Sequence, residues 1–121
     1  MEELMLPALA TAASSGRSFI TAYCIRHGVS PTAAEDAVLI TSELIGNAYL
    51  HAGSGTQVNV SFQDRILRVE VSDSSAVQPR LGTEWTDGTT GRGVMIMDAL
   101  AQRWGVYSHP AGKSIWFELK E

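Results

Sequence analysis

The stretch ELIGNAYLHA, residues 43–52, lies at the end of a long segment with helical pattern. Within it, Glu43 and Asn47 stand at positions i and i+4, so both side chains project from one face of the predicted helix. A carboxylate can accept a proton or orient a water molecule. An amide oxygen can ligate a hard cation such as Mg²⁺. A solvated polar face would show the same spacing, so the pair needs support from the rest of the chain.

The chain around this stretch divides into helical and strand patterns. Ser30-Pro31 is a helix start signal, because serine is a favoured N-cap residue and proline a favoured first helical residue, and Gly53 is the expected stop. The other predicted elements are a strand over 3–6, a helix over 8–27, strands over 56–63 and 66–72 joined at Asp64-Arg65, a loop over 73–91, a helix over 94–102, and strands over 104–108 and 114–119 joined at 110–113.

Helices and strands do not alternate one for one along the chain, so a doubly wound fold is excluded. The order predicts a single domain, residues 1–121, of the α+β class. We expect a two-layer α/β sandwich in which helices cover one face of a mixed, mostly antiparallel sheet.

Composition excludes several classes of protein. The 121 residues are 45% hydrophobic and 18% charged, which is ordinary for a globular domain. The net charge is −4 and the nine Lys and Arg residues are scattered, so no direct nucleic-acid partner is expected. Cys24 is the only cysteine, which excludes an intrachain disulfide and favours a reducing, cytoplasmic compartment. No apolar run approaches a membrane span of about 20 residues, and Glu2-Glu3 before the apolar run at 4–13 argues against a signal peptide.

Three more motifs could bind a ligand, and each also has an ordinary structural explanation. Asp73 follows a predicted strand, where a carboxylate can accept from a ligand amine or form a turn. Gly91-Arg92-Gly93 precedes a helix, where glycines let the backbone approach a phosphate and arginine adds a bidentate donor, or where glycines form a hinge. In Gly112-Lys113-Ser114, Ser114 could reach a ligand near Asp73 if their strands are neighbours. Otherwise this segment is a hairpin turn with a solvated lysine.

Taken in order, these motifs resemble the histidine-kinase-like ATPase family, the GHKL or Bergerat-fold proteins. The resemblance runs from about Pro7 to Leu119. Its pieces are ELIGNAYLHA on a helix, VSDSS at a strand end, a long loop, GRGVMIMDALAQRWGV and GKSIWFEL. Within the family, the chain is most similar to the small single-domain anti-sigma factor serine kinases. The resemblance implies a Bergerat ATP-binding fold with ATP and Mg²⁺ as cofactors.

The resemblance also implies a role for each matching residue. Glu43 would be the general base, and Asn47 would ligate the Mg²⁺ that bridges the nucleotide phosphates. Asp73 would accept from the adenine amino group, and Ser114 matches the family's hydroxyl residue near the adenine. Gly91, Arg92 and Gly93 match the second glycine box, where backbone amides and the arginine would meet the phosphates.

The chain departs from the family pattern in its first glycine box. The family reads Asp-x-Gly-x-Gly after the strand, and here Ser75 and Val77 replace both glycines. The departure predicts reduced adenine affinity. Residues 77–90 would form a short lid over ATP. His51 falls at the end of the helix motif, where a structural hydrogen bond or helix cap explains it at least as well as a catalytic role.

Several functions compete. The first is a serine/threonine-protein kinase that phosphorylates an anti-sigma-factor antagonist and binds a sigma factor, with homodimers common among relatives. The second is a catalytically weak or inactive nucleotide-binding module that contacts other proteins. A histidine kinase catalytic domain ranks third, because no phosphoacceptor helix precedes the matching region. A nucleotide-free structural domain ranks last. Kinase activity needs Glu43, whereas nucleotide binding needs Asn47 and Asp73 and should survive Glu43→Ala.

Overall fold

The structure is a computed structural model that describes residues 1–73, 89–110 and 112–121, with the backbone alone at residues 51, 52, 89–92 and 109. Its elements, in chain order, are β1 (Glu2–Leu6), α1 (Ala12–His27), α2 (Pro31–Asn47), a π-helical turn (Ala48–Ala52), β2 (Thr56–Gln63), β3 (Ile66–Asp73), α3 (Thr89–Leu100), β4 (Arg103–His109) and β5 (Gly112–Lys120). Every helix and strand predicted from the sequence is present. No helix in these ranges is long and apolar enough to cross a membrane.

The five strands form one sheet in the order β1-β2-β3-β5-β4. All four pairings are antiparallel, although the sequence-based prediction allowed for a mixed sheet. The chain passes from β3 through α3 to β4, and β5 then returns between β3 and β4. The predicted α+β sandwich is therefore confirmed, with every described pairing antiparallel.

Alternation along the strands decides which side chains face the helices, because successive residues point to opposite faces of a sheet. In β3 and β5, the odd-numbered residues Leu67, Val69, Val71, Ile115, Phe117 and Leu119 are buried. They pack against helix residues that include Ile20, Ile40, Leu44, Ile45 and Met97. The buried core therefore lies between the sheet and the helices. Most polar residues of these two strands lie on the opposite face of the sheet.

Local signals set the ends of the helices. Ser30 has extended backbone (φ −60°, ψ 149°), and its hydroxyl accepts a hydrogen bond from the Ala33 amide at 3.3 Å. Gly28 and Gly53 adopt left-handed backbone at φ 71° and 59°, where glycine carries no steric penalty. Helix α1 begins four residues later than predicted, and α3 begins five residues earlier.

The open face of the sheet carries a cluster of charged residues around Trp116. Arg68 and Arg103 both donate hydrogen bonds to the carboxylate of Glu118, at 3.0 Å and 2.7 Å. The Arg68 guanidinium lies 4.3 Å from the centroid of the Trp116 ring. Burial by itself raises the pKa of the Glu118 carboxyl, but the hydrogen bonds from Arg103 and Arg68 outweigh it, so this pKa lies below its usual value.

Glu118→Gln is expected to lower the free energy of unfolding by about 1–2 kcal/mol at neutral pH, because two guanidinium groups lose a charged acceptor. A lowered folded-state pKa means that the carboxylate stabilises the fold above its unfolded pKa and ceases to do so as the pH falls through the folded value. The gap between the two proteins should therefore close as the pH falls below the ordinary pKa of a glutamate side chain. Urea unfolding of both proteins at several pH values measures it, and a gap that does not change with pH would contradict the assignment.

Candidate functional site

Gly93, in the second turn of α3, lies directly against the end of α2. A Cβ atom built on Gly93 would lie 2.7 Å from Nδ2 of Asn47 and 3.4 Å from Cβ of Glu43. The first distance is shorter than non-bonded contacts allow, so a side chain at position 93 would force Asn47 to move. Glycine is therefore needed here for close approach. The structure brings Glu43, Asn47 and Gly93 together from two separate sequence motifs.

Asn47 is a buried polar residue with an unused donor. The residue is 6% exposed, and its Nδ2 has no hydrogen-bond partner among the residues that the structure describes. Buried amide groups nearly always find a partner, because leaving one without costs about 1–3 kcal/mol. An amide offers an oxygen acceptor and a nitrogen donor at its tip. The Asn47 amide is thus suited to contact a polar ligand or a cation at the α2–α3 junction.

The helix changes its form immediately after Asn47. Residues Ala48–Ala52 form a π-helical turn that ends at the left-handed Gly53. Such turns are rare and are often found at functional sites. Glu43 lies one turn before Asn47 and is half-buried. The predicted end of the helix is confirmed, but nothing in the sequence pattern indicated the wider turn.

Asp73, which the resemblance assigns to the adenine, lies at the end of β3. In the sheet it lies opposite Thr56 of β2 on one side and Lys113 of β5 on the other. The Lys113 ammonium nitrogen lies 3.0 Å from Oδ2 of Asp73 and 3.3 Å from Oδ1. The two side chains are only 6% and 7% exposed. Removing one partner of a buried ion pair typically costs about 3–5 kcal/mol, because the charge of the other partner stays buried without compensation.

The alternative interpretation of residues 112–114, a hairpin turn with a solvated lysine, is therefore wrong for Lys113, whose side chain is buried. Strand β5 begins at Gly112, and the Lys113 side chain lies on the helix-facing side of the sheet with Asp73. The sequence does contain a signal for this placement. Counting back by twos from the buried Phe117 and Ile115 leads to position 113.

Ser114 lies on the opposite side of the sheet. It pairs with Ser72, and their hydroxyl oxygens are 2.8 Å apart. Strands β3 and β5 are neighbours, as the predicted contact between Ser114 and Asp73 required, but alternation turns Ser114 away. The residue that the structure places beside Asp73 is Lys113. The structure therefore does not bring Ser114 to the proposed base-binding carboxylate.

Several predicted features lie outside the described residues. They are the altered first glycine box beyond Asp73, the lid over 77–90 up to residue 88, and the side chains of Arg92 and His51. The backbone of Gly91 and Arg92 is helical and belongs to the first turn of α3. The second glycine box thus occupies the third to fifth residues of α3, and the amides that can meet an anion are those of the first residues of this helix.

The family of this chain follows from a match to a family model. A model described as a histidine kinase-like ATPase domain matches residues 6–119. The chain belongs to this family. The family predicted from the sequence is thus confirmed over nearly the whole chain. No curated protein matches it.

Solved structures of other proteins contain the same fold. The RsbU and RsbW domains of Rv1364c from Mycobacterium tuberculosis match 99% of this chain with a TM-score of 0.77 and 20% identity. The blue-light activated histidine kinase EL346 of Erythrobacter litoralis matches 76% of it, with a TM-score of 0.59 and 23% identity. The chain spans 32% and 31% of those two chains. These likenesses concern the fold of the ATPase domain.

Gly93→Ala tests the close approach of α3 to α2. We expect it to lower the free energy of unfolding by about 1–2 kcal/mol, because the new methyl group displaces the buried Asn47 amide. Gly46→Ala is the matched control, since Gly46 is also helical and a Cβ there meets no atom of the described residues within 4 Å. That variant should be neutral or stabilised by up to about 1 kcal/mol through helix propensity. Urea unfolding measures both, and equal effects at the two positions would rule out the steric explanation.

Proposed function

We propose that this ATPase domain binds Mg²⁺-ATP where α3 meets α2 and transfers the γ-phosphoryl group to a serine of a protein partner. The observation that carries the proposal is the contact of Gly93 with Asn47 and Glu43. The contact brings an amide that can hold a cation and a residue whose carboxylate can accept a proton close to the start of α3, where the first-turn amides can receive phosphates. Phosphoryl transfer depends mainly on this kind of positioning and charge stabilisation.

The residues at this junction fit Mg²⁺ and the phosphate end of a nucleotide. Asn47 has a buried amide with no partner among the described residues, and its oxygen is a suitable ligand for a hard cation. The first-turn amides of α3 would receive the phosphate oxygens. When bound, Mg²⁺ would neutralise charge on the transferring phosphoryl group.

Glu43 would handle the proton in the transfer step. The serine hydroxyl oxygen forms a bond to the γ-phosphorus while the bond from that phosphorus to the β–γ bridging oxygen breaks. The hydroxyl proton passes to the Glu43 carboxylate, and ADP leaves with the bridging oxygen. Glu43 is half-buried and lies one turn before Asn47, so its carboxylate would lie near the same phosphate group.

The protein partner is proposed from the resemblance to anti-sigma factor kinases. The Mycobacterium tuberculosis neighbour, which holds RsbU and RsbW domains in one chain, supports a protein partner of the partner-switching kind. We propose that the phosphoryl acceptor is an anti-sigma-factor antagonist and that a sigma factor is the second partner. The chain would then regulate transcription through protein contacts, as a monomer or a homodimer, in the cytoplasm.

One observation favours a second candidate function. The Asp73 carboxylate, which the resemblance assigns to the adenine, is held by Lys113 in a buried ion pair. The replacement of both glycines after Asp73 also favours this second function, because it predicts reduced adenine affinity. A nucleotide-binding module with little phosphoryl transfer would have such a weakened base site. In this function, ATP would act as a ligand that changes affinity for a partner protein.

Two substitutions on α2 separate these functions. Asn47→Ala should weaken Mg²⁺-ATP binding by about tenfold or more, because the cation loses a ligand from the chain. Glu43→Gln should keep the affinity within about threefold and lower phosphoryl transfer by about a hundredfold or more, because only the proton acceptor is lost. Calorimetry measures binding, and transfer of label from γ-labelled ATP to a purified anti-sigma-factor antagonist measures activity.

Glu35→Gln is the control for these variants, because Glu35 is exposed on the same helix and changes charge in the same way. It should leave both binding and transfer unchanged. Wild-type binding without transfer would favour the nucleotide-binding module. Unchanged binding in Asn47→Ala would remove the α2–α3 junction as the phosphate site.

A further inference from the structure

The ion pair between Asp73 and Lys113 lies where a nucleotide base would be recognised in the proposed site. The Lys113 nitrogen is within 3.3 Å of both carboxylate oxygens of Asp73. A base amino group that binds Asp73 must therefore share the carboxylate with an ammonium group that is already in contact with it. This inference rests on the proposed function, since it concerns the base end of the same nucleotide site.

The strengths of the two contacts decide which one persists. Lys113 and Asp73 are both nearly inaccessible to water, so separating them would leave two buried charges without compensation. A hydrogen bond from a neutral amino group to the carboxylate returns less than that separation costs. The base amino group therefore cannot displace Lys113. Its hydrogen bond to a carboxylate that an ammonium already neutralises is weaker than a hydrogen bond to a carboxylate with no cation beside it.

Thr56 supplies a second observation at the same place. It lies opposite Asp73 on the other side from Lys113 and is 4% exposed. Its hydroxyl has no hydrogen-bond partner within the described part of the chain. The row Thr56–Asp73–Lys113 thus contains both a tightly held carboxylate and a buried polar group that a ligand could satisfy. A purely structural ion pair does not account for the unused hydroxyl.

We propose that Lys113 is a positioning residue that acts through Asp73 as an internal competitor for the amino group of the base. With Lys113 in place, the nucleotide is held mainly by its phosphate end at Asn47 and Gly93, and the amino group of adenine adds little affinity. Removing the ammonium takes away the Lys113 contact with the Asp73 carboxylate and makes binding depend more on that amino group. Lys113 therefore sets how strongly the site selects its base.

The test compares two nucleotides that differ by a single group. ATP and purine riboside triphosphate, which lacks only the amino group of adenine, are titrated with Mg²⁺ into the wild type, Lys113→Met and Lys113→Arg. In the wild type, the two affinities should agree within about threefold. In Lys113→Met, ATP should bind about tenfold more tightly than in the wild type, while the affinity for purine riboside triphosphate changes by less than about threefold. Lys113→Arg retains the ion pair and should keep the wild-type ratio.

Each outcome bears on the inference. A wild type that prefers ATP by more than about tenfold would overturn it, and this comparison needs no variant to fold. A Lys113→Met protein that loses its affinity for ATP would also overturn it, because Lys113 would then hold the base. A general loss of folding affects both nucleotides alike and cannot produce the predicted change in their ratio. If neither nucleotide binds to any of the folded proteins, the proposed function itself fails, which the Asn47→Ala comparison shows independently.

Discussion

Where α3 meets α2, the backbone of Gly93 lies on the Asn47 amide, and no larger residue fits without moving that amide. This contact joins two segments that are more than 40 residues apart in the chain. It also places α3 beside the Glu43 side chain. Because packed interiors tolerate little change in volume, the arrangement depends on the missing side chain. The phosphate end of the proposed site follows from this one steric constraint.

The antiparallel sheet determines the other end of the site. Strand β5 lies between β3 and β4 and runs antiparallel to β3. The end of β3, where Asp73 is found, is therefore adjacent to the start of β5. Alternation then places Thr56, Asp73 and Lys113 in one row that faces the helices. The same alternation turns Ser72 and Ser114 to the other face, where they bond to each other. A shift of one residue in the register would exchange these two sets.

The two ends of the site differ in their electrostatics. At the α2–α3 junction, the buried Asn47 amide nitrogen has no hydrogen-bond partner among the described residues, and the first-turn backbone amides of α3 favour an anion. At the sheet end, the carboxylate is neutralised by the Lys113 ammonium in nearly water-free surroundings. A ligand with strong negative charge at one end and a neutral, polar ring at the other would therefore gain most of its affinity from the charged end. This division is a property of the present chain, since it comes from a lysine that occupies the position facing Asp73.

The sequence by itself determined the elements and the family. Periodicity, the Ser30 cap and the stop at Gly53 were sufficient to place helices and strands, because these signals act over a few neighbouring residues. The spacing of Glu43 and Asn47 followed from helix geometry alone. The tertiary structure decided the ion pair of Lys113 with Asp73 and the contact of Gly93 with Asn47. Both depend on which distant segments become neighbours and in what register, and local patterns in a chain carry little information about either.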